Sequence, residues 1–218
     1  MNKLKELSKH YNTDKGYGYK NGNSHRYVDF YEQYFSKYKK PIILEIGVWY
    51  GDSIRLINDY YDGECEIYCV DIQSNAYDYI SNMQNVHFFL FDQSSRDSWN
   101  DFNEKTKNVT FDIILDDGGH KFNQQLVSLY MLHKRLNENG IYIIEDLHTS
   151  LVSDNKQSTL TFLNYFSIGD KDNNGYLFDK EYDELRNSIK DVIISNVRSS
   201  GDFNKQFFNR SITSIITF

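Results

Sequence analysis

The stretch FDIILDDGGH (111–120) brings together residue types that can do chemistry, and it does so at the end of a hydrophobic run. Asp116 and Asp117 are adjacent carboxylates, and His120 follows them after two glycines. A carboxylate can hold a metal cation, and an imidazole can accept a proton near neutral pH. His120 is therefore a candidate general base, although a single histidine after a turn is more often a surface or capping residue.

A second hydrophobic run, GIYIIED (140–146), also ends in acids, Glu145 and Asp146. The carboxyl ends of neighbouring parallel strands meet at one edge of a sheet, so we expect these acids beside those of the preceding run. Ionised carboxylates in one partly buried pocket repel each other, and burial raises their pKa. A divalent cation such as Mg²⁺, Mn²⁺ or Ca²⁺ would remove that repulsion, because hard cations bind oxygen ligands. The alternative is that the acids cap helices or pair with Lys and Arg.

A turn that contains two glycines, LEIGVWYGDS (44–53), follows the first hydrophobic strand. Gly47 and Gly51 let the backbone turn tightly and let a ligand approach main-chain N–H groups at the start of the next helix. Glu45 lies near the end of the strand that precedes them. The spacing is G-x-x-x-G, which differs from the G-x-G-x-x-G of a typical dinucleotide site. A turn of this kind also occurs for purely structural reasons.

Two further acids end predicted strands, Asp71 in YCVDI and Asp92 in FLFDQ. After the second strand of an α/β sheet, a carboxylate such as Asp71 can accept both hydroxyls of a ribose. Asp92, after the third strand, could meet an adenine amine. A helix cap is the simpler explanation for either acid alone. With the glycine turn, the two acids outline one crevice at the carboxyl ends of the strands, where open α/β sheets bind their ligands.

Short apolar strands alternate with longer helical stretches from residue 41 onward, and this order predicts an α/β fold. The first five strands are nearly continuous hydrophobic runs, as expected for parallel strands covered on both faces. We predict a doubly wound, Rossmann-like sheet of seven strands, mostly parallel, with the last strand antiparallel and helices on both faces. A long helix over 123–140 is predicted to stop at Gly140. The predicted strands are 41–47, 65–72, 85–92, 111–117, 140–146, 191–197 and 211–218.

Residues 1–40 lack strand patterning and contain two helical stretches, MNKLKELSKH and YVDFYEQYFSKY. The segment between them is rich in Gly and Asn and is predicted to be a mobile lid. Pro41 marks the boundary with the α/β domain, which is expected to occupy 41–218. The two parts are expected to form a single compact domain. The polar stretch 169–185 is predicted to be a surface loop followed by a short helix.

The composition of the chain limits the classes of partner that it is expected to bind. The chain has 218 residues and a formal net charge of −7, which argues against binding of nucleic acid or of anionic membranes. Cys65 and Cys69 fall on one predicted strand, where they cannot easily bridge, and their spacing is a weak zinc signal. No signal peptide and no membrane span is predicted, so a reduced, cytoplasmic location is the simplest expectation. Aromatic residues make up 16% of the chain, which leaves room for a homo-oligomer interface.

Four motifs in this order carry a resemblance to a known family. The glycine turn and the two strand-ending acids resemble the class I S-adenosylmethionine-dependent methyltransferases. More narrowly, the chain from about Tyr11 to about Phe166 is similar to the metal-dependent sugar O-methyltransferases related to the macrolide-sugar (mycinamicin/tylosin) enzymes. The motifs are TDKG (13–16) with H-x-Y (25–27), LEIGVWYG (44–51), DDGGH (116–120) and EDLHTS (145–150). Relatives commonly carry Ser where this chain has Gly119, a departure that leaves Asp117 and His120 in place.

The resemblance implies S-adenosylmethionine and Mg²⁺ or Mn²⁺ as cofactors, and it assigns roles to residues of this chain. The implied metal ligands are Asp117, Glu145 and Asp146, and the implied catalytic residues are His120 and Asp117. The implied contacts to the methyl donor are Glu45, Gly47, Gly51, Asp71, Asp92 and Asp116, with Thr13, Lys15 and Tyr27 from the segment that closes over it. The implied substrate residues are His148, Thr149 and His25.

The expected function is methylation of a sugar hydroxyl in a small-molecule sugar or sugar nucleotide. A nucleotide-activated or glycan-linked sugar of capsule or surface polysaccharide is the preferred acceptor. The alternatives are a catechol-type methyltransferase, methylation of a phosphate or phosphoramidate oxygen, and a non-catalytic module that binds S-adenosylmethionine.

Overall fold

One seven-stranded sheet organises the chain. A computed structural model describes residues 2–22, 24–149, 158–168, 177–198 and 210–218. The strand order across the sheet is β3-β2-β1-β4-β5-β7-β6. The strands are β1 Ile42–Ile46, β2 Glu66–Asp71, β3 Val86–Leu90, β4 Phe111–Asp116, β5 Leu136–Ile144, β6 Asp191–Arg198 and β7 Arg210–Thr217.

The first five strands are parallel, and β7 runs antiparallel to both β5 and β6. The predicted fold class is therefore confirmed, including the antiparallel last strand. The strand order reverses at β1, which pairs with β2 on one side and with β4 on the other. That reversal opens a crevice at the carboxyl ends of these strands, where α/β sheets bind ligands.

Helices cover both faces of the sheet because successive strand residues point to opposite sides. Ile43, Ile113 and Ile143 face the core shared with the first three helices, whereas Leu44 and Ile114 face the core beneath the later helices. The helices are α1 Lys3–Ser8, α2 Val28–Phe35, α3 Asp52–Tyr60, α4 Tyr77–Ile80, α5 Arg96–Lys105, α6 Phe122–Leu132, α7 Thr159–Ile168 and α8 Asp179–Ser188.

The prediction of one long helix over 123–140 is wrong for the second half of that range. Helix α6 ends at Leu132, a short 3₁₀ turn follows, and β5 begins at Leu136. The Arg135 side chain holds this break, because its guanidinium donates to backbone oxygens that follow α5. Asn139 has a φ of 65°, and the β4–β5 register shifts between Phe111 and Ile113, so the strand carries a bulge that hydrophobic periodicity cannot reveal.

The two N-terminal helices belong to the core rather than to a separate arm. Leu4 of α1 and Tyr31 and Phe35 of α2 are buried in the same cluster as Ile43 of β1. The connecting segment is also tied down, since Thr13 and Lys15 are buried. Its position over the carboxyl ends of the strands agrees with the predicted lid, and its mobility stays a prediction.

The late polar stretch is described only in part. Residues 169–176 lie outside the described residues, and so does Ser150 of the EDLHTS motif. The remainder, 177–185, contains buried Leu177 and most of α8, in agreement with the predicted short helix. In the described part of the chain, no helix combines the length and hydropathy that a membrane span requires.

Replacing Arg135 tests the break between α6 and β5. Its guanidinium donates to Asn103 Oδ1 at 2.5 Å, Thr106 O at 2.5 Å and Val109 O at 2.6 Å. We expect Arg135→Met to lower the free energy of unfolding by about 2–3 kcal/mol, because several partly buried oxygens lose hydrogen bonds from a charged donor. Urea unfolding measures this. The control is Lys134→Met, whose exposed ion pair should be worth less than about 1 kcal/mol, and equal losses in the two variants would contradict the assignment.

Candidate active site

Two adjoining cavities open at the carboxyl ends of the strands. The larger has a volume of about 760 Å³ and the smaller about 250 Å³. Gly47, Trp49, Asp117 and Gly118 line both, so the glycine turn and the end of β4 separate them. Of the residues predicted for the site, Thr13, Lys15, His120 and Asp146 line the larger cavity, and Asp71 and Asp92 line the smaller one.

The glycine turn and the end of β4 are in direct contact. Gly47 has a φ of 80°, and a Cβ there would lie 2.2 Å from the carbonyl oxygen of Asp117. Gly51 has a φ of 76° and precedes the first residue of α3. Only glycine fits these conditions without strain, and the N–H groups of Gly47 and Gly51 donate to the carbonyls of Val70 and Val48.

The smaller cavity has the features of a nucleoside site. Asp71 ends β2, and its carboxylate accepts hydrogen bonds from the backbone N–H groups of Val48 at 2.8 Å, Trp49 at 3.0 Å and Gln73 at 2.8 Å. Asp92 accepts from Ser94 N and Ser94 Oγ through one carboxylate oxygen. These bonds fix both acids at the cavity wall, and each retains lone pairs for a ligand.

Asp116 is buried in the core, unlike the adjacent Asp117, which lines both cavities. The Asp116 side chain is fully buried and lines neither of the two cavities. It accepts hydrogen bonds from Gln93 at 3.0 Å, Ser128 at 2.6 Å and Tyr142 at 3.1 Å. Burial raises the pKa of Asp116, and these donors oppose the rise. Asp116 therefore fixes the end of β4 from within the core. The sequence pattern alone did not show that Asp116 is structural whereas Asp117 lines the cavities.

Asp117, His120 and Asp146 form the candidate metal and proton-transfer centre. One oxygen or nitrogen from each of the three lies within 4.8 Å of those from the others. His120 Nε2 is 3.7 Å from Asp146 Oδ2. His120 Nδ1 is buried and has no hydrogen-bond partner among the described residues. An imidazole with an unused nitrogen next to two carboxylates is able to bind a cation or accept a proton.

Asp146 is held by three histidines and a tyrosine. His25 Nδ1 lies 3.7 Å from Asp146 Oδ1 and His148 Nδ1 lies 3.9 Å from it, while the Tyr27 hydroxyl donates to the same oxygen at 2.5 Å. Burial raises the pKa of Asp146, but the charge of His25 and the Tyr27 hydrogen bond, with His120 and His148, bring it below its usual range. Its φ of 52° is rare for a residue with a side chain. Asp146 is therefore kept ionised and fixed in direction.

Lys15 reaches into the acid cluster from the N-terminal segment. Its ammonium donates to Asp117 and lies 3.2 Å from Glu145 Oε2 and 3.7 Å from Glu45 Oε1. Burial alone lowers the pKa of Lys15, but Asp117, Glu145 and Glu45 outweigh it and raise that pKa well above its usual range. Pairing of the acids with a lysine, the alternative to metal binding, thus occurs at Asp117 and Glu145.

Glu145 and Glu45 lie deeper than Asp117. Glu145 accepts hydrogen bonds from Tyr31 and Lys15, and burial together with repulsion from Asp117 raises its pKa well above the usual range. Burial raises the pKa of Glu45 to about 7, and Lys15 opposes the rise. Neither Glu45 carboxylate oxygen has a hydrogen-bond partner among the described residues. Burial also raises the pKa of Asp117, to about 6.

The remaining predicted residues surround this cluster. Thr13 Oγ1 accepts a bond of 3.4 Å from Lys15 N, so it shapes the segment that carries the lysine. Thr149 is exposed, and its hydroxyl and its N–H donate to the carbonyl of Asp146. Tyr27, predicted for the methyl donor, instead holds Asp146 and lines neither of the two cavities.

Two residues of this site were missed from the sequence. Tyr31 holds Glu145, and Gln93 bonds both Asp116 and the N–H of Gly119. Tyr31 could have been found, because it lies four residues after Tyr27 and shares its helix face. No sequence pattern marks Gln93, because the hydrogen bonds of its side chain depend on how three elements of the fold pack together.

The residues present fit a divalent cation and a nucleoside-bearing donor. Asp117 and Asp146 present carboxylate oxygens beside the His120 nitrogen, a donor set that suits Mg²⁺ or Mn²⁺ and tolerates other divalent metals. Glu145 is the third ligand implied by the resemblance, and here it is paired with Lys15 and Tyr31. The buried carboxylate of Glu45, which already pairs with the ammonium of Lys15 at 3.7 Å and makes no hydrogen bond among the described residues, has the chemistry to accept from an amino group.

Residues 44–147 match a family described as "Methyltransferase domain". The segment therefore resembles a methyltransferase domain. The matched segment runs from within β1 to the end of β5 and includes every lining residue of the smaller cavity, whereas the N-terminal residues that line the larger cavity precede it. The resemblance to class I methyltransferases that the motifs carry is confirmed.

Curated relatives of the chain are O-methyltransferases by name, and one of the names specifies a rhamnosyl compound. The chain is 31% identical over 135 residues to 8-demethyl-8-alpha-L-rhamnosyl tetracenomycin-C 2'-O-methyltransferase of Streptomyces olivaceus, covering 58% of this chain and 34% of that protein. It is 27% identical over 156 residues to demethylmacrocin O-methyltransferase of Streptomyces fradiae, covering 67% of this chain and 37% of that protein. The chain thus spans about a third of the length of these relatives.

Among solved structures, the fold is similar to MycE, a methyltransferase from the mycinamycin biosynthetic pathway determined with Mg and SAH. The TM-score is 0.70 at 21% sequence identity, and the match covers 99% of this chain and 54% of that one. The similarity extends beyond the segment matched by the family, to the N-terminal helices and the last two strands.

Lys15→Met tests whether the ammonium and a metal compete for the same carboxylates. Without the ammonium, buried charge is left uncompensated, so we expect the free energy of unfolding to fall by about 3–5 kcal/mol without added metal. Saturating Mg²⁺ or Mn²⁺ should then raise the melting temperature more in the variant than in the wild type, because binding to the folded state stabilises it. Thermal unfolding with and without metal measures both effects.

The control for that experiment is Lys20→Met, because Lys20 is exposed on the same segment. Its melting temperature and metal response should match those of the wild type. An equal or smaller metal response in Lys15→Met would show that the ammonium does not compete with a cation.

Proposed function

We propose that the protein is an S-adenosylmethionine- and divalent-metal-dependent O-methyltransferase that acts on a sugar hydroxyl. The observation that carries the proposal is the juxtaposition of Asp117, His120 and Asp146 beside the turn formed by Gly47. It supports a methyl donor, a cation and a base within one connected space. The names of the relatives support a sugar as the acceptor.

The donor is proposed to lie across the smaller cavity and the glycine turn. Asp71 would accept the ribose hydroxyls, and Asp92 would meet the adenine. Glu45, whose buried oxygens have no hydrogen-bond partner among the described residues, would accept from the amino group of the methionine part. S-adenosylmethionine supplies an electrophilic methyl group on a sulfonium.

Asp117, Asp146 and Glu145 are proposed as the metal ligands, with Glu145 available once Lys15 releases it. A bound divalent cation supplies positive charge that lowers the pKa of an oxygen acid. Tyr27, His25 and His148 keep Asp146 ionised and in position. Positioning of this kind contributes several kcal/mol to catalysis, because reactants then meet at the right distance and angle.

His120 is proposed as the general base. An aliphatic alcohol has a pKa comparable to that of water, ~15.7, and imidazole has ~6.5. Each unit of pKa difference costs ~1.36 kcal/mol, so full proton transfer from the alcohol to His120 alone would be uphill by roughly 12 kcal/mol. The cation and the base are therefore both needed, and His120 accepts the proton while the new carbon–oxygen bond forms.

The proposed setting is synthesis of capsule or surface polysaccharide in the cytoplasm, with a sugar nucleotide or a glycan-linked sugar as the substrate. Cys65 and Cys69 are both free thiols, which agrees with a reducing compartment. A homo-oligomer stays a prediction that light scattering would test.

His120→Ala tests the assignment of the base. Turnover of a sugar acceptor should fall at least about 100-fold, because general-base catalysis contributes that much. The readout is mass spectrometry for a methyl-sized gain across a panel of sugars and nucleotide sugars. EDTA should abolish the gain and Mg²⁺ should restore it. The control is His87→Ala, because His87 lies on β3 and is paired with Glu66.

Three outcomes would contradict the proposal. A phenolic acceptor with a pKa near ~10 would tolerate the loss of His120 far better, and that result would favour a catechol-type enzyme. A methyl-sized gain on a phosphate or phosphoramidate oxygen would show that the acceptor atom is not an alcohol oxygen. Calorimetric binding of S-adenosylmethionine without turnover on any acceptor would indicate a non-catalytic module.

A further inference from the structure

The larger cavity carries exposed aromatic side chains to which the proposed reaction assigns no role, and one of them, Trp49, also lines the smaller cavity. Trp49, Tyr50 and Tyr79, which we call the aromatic rim, line this cavity together with His120 and Asp146. Trp49 is 64% exposed, Tyr50 is 44% exposed and Tyr79 is 54% exposed. Large aromatic side chains exposed in one contiguous group at the mouth of a site mark a binding surface.

The rim is preorganised. The Trp49 and Tyr50 rings meet edge to face at 5.3 Å, and the Tyr50 and Tyr79 rings do so at 6.1 Å. The Arg55 guanidinium lies 5.7 Å from the centre of the Tyr79 ring. Trp49 has a φ of 49°, a conformation that costs a bulky residue free energy and that tends to be found where it serves a function.

The larger cavity is also lined by polar, uncharged side chains. Asn12, Tyr19 and Asn21 of the N-terminal segment belong to this lining, and the N–H of Asn12 donates to Asp52, which is paired with Arg55. Amide and phenol groups donate and accept hydrogen bonds, as the hydroxyls of a sugar require. Aromatic rings and neutral polar groups in one cavity suit a pyranose ring, which has an apolar face of C–H bonds and a polar edge.

The charges of the lining disfavour a diphosphate. Among the described residues around the larger cavity, the two cations are already paired. Lys15 contacts three carboxylates, and Arg55 donates to Asp52 at 2.8 Å. The lining also contains four acids, Asp14, Asp52, Asp117 and Asp146. Apart from the proposed divalent cation, which its own ligands offset, the described lining offers a phosphate group only cations that are already paired.

We infer that the aromatic rim is a subsite for a second, neutral sugar ring of the acceptor, next to the ring that is methylated. This inference rests on the proposed function, and it selects a glycan-linked acceptor over a nucleotide-activated one. Contacts to the second ring supply binding energy away from the reacting hydroxyl.

The test uses the acceptor sugar identified by the panel assay in three forms: its methyl glycoside, a neutral disaccharide methyl glycoside that ends in it, and its nucleoside diphosphate ester. We expect the KM of the wild type to be about tenfold lower for the disaccharide than for the monosaccharide, a change that one good contact provides. In Tyr79→Ala this ratio should fall to about one.

The chain offers a matched control. Tyr77 lies two residues before Tyr79 on α4, has the same 54% exposure and lines neither cavity. Tyr77→Ala should keep the full disaccharide preference. Equal KM values for the mono- and disaccharide in the wild type, a best KM for the nucleotide form, or the same loss in both variants would overturn the subsite.

A second measurement separates this inference from the proposed reaction. His120→Ala is applied with S-adenosylhomocysteine to an array of immobilised neutral bacterial polysaccharides, and the double variant His120→Ala/Tyr79→Ala is compared with it. Binding that is lost in the double variant supports the subsite even if no sugar is methylated. If the enzyme methylates a sugar but polysaccharide binding is the same with and without Tyr79, the proposed reaction is supported and the subsite is contradicted.

Discussion

The charge balance at the ends of β4 and β5 is the constraint on which the rest of this structure depends. Asp117, Glu145 and Asp146 lie close together, and two of them share one buried ammonium, that of Lys15. Carboxylates this close cannot all stay ionised in a buried site without positive charge. Because that charge comes from the N-terminal segment, the acid cluster and the segment above it form one unit.

The N-terminal helices therefore complete the site as well as covering it. Tyr27 and Tyr31, about one turn apart at the start of α2, donate to Asp146 and to Glu145. The tyrosines and the lysine come from one stretch of chain, and each holds a different part of the acid cluster. A change in the position of this stretch would alter hydrogen bonding and charge at the catalytic centre together.

The proposed donor and acceptor parts are separated by the contact between Gly47 and the carbonyl of Asp117. Asp71 and Asp92 line the cavity on one side of this contact, and His120 and Asp146 line the cavity on the other, while Trp49 and Asp117 line both. In the proposed arrangement, the transferred methyl group would lie between the two cavities.

The sequence by itself determined the sheet, the order of its strands along the chain, and the acids at the ends of β2 to β5. It did so because buried parallel strands are hydrophobic throughout and their polar ends are therefore visible. Only the tertiary structure decided which acids face a cavity, so that Asp117 does and Asp116 does not. It also decided that Lys15 meets Asp117 and Glu145, and that β5 starts at Leu136. These outcomes depend on packing between residues far apart in the chain, which no local pattern encodes.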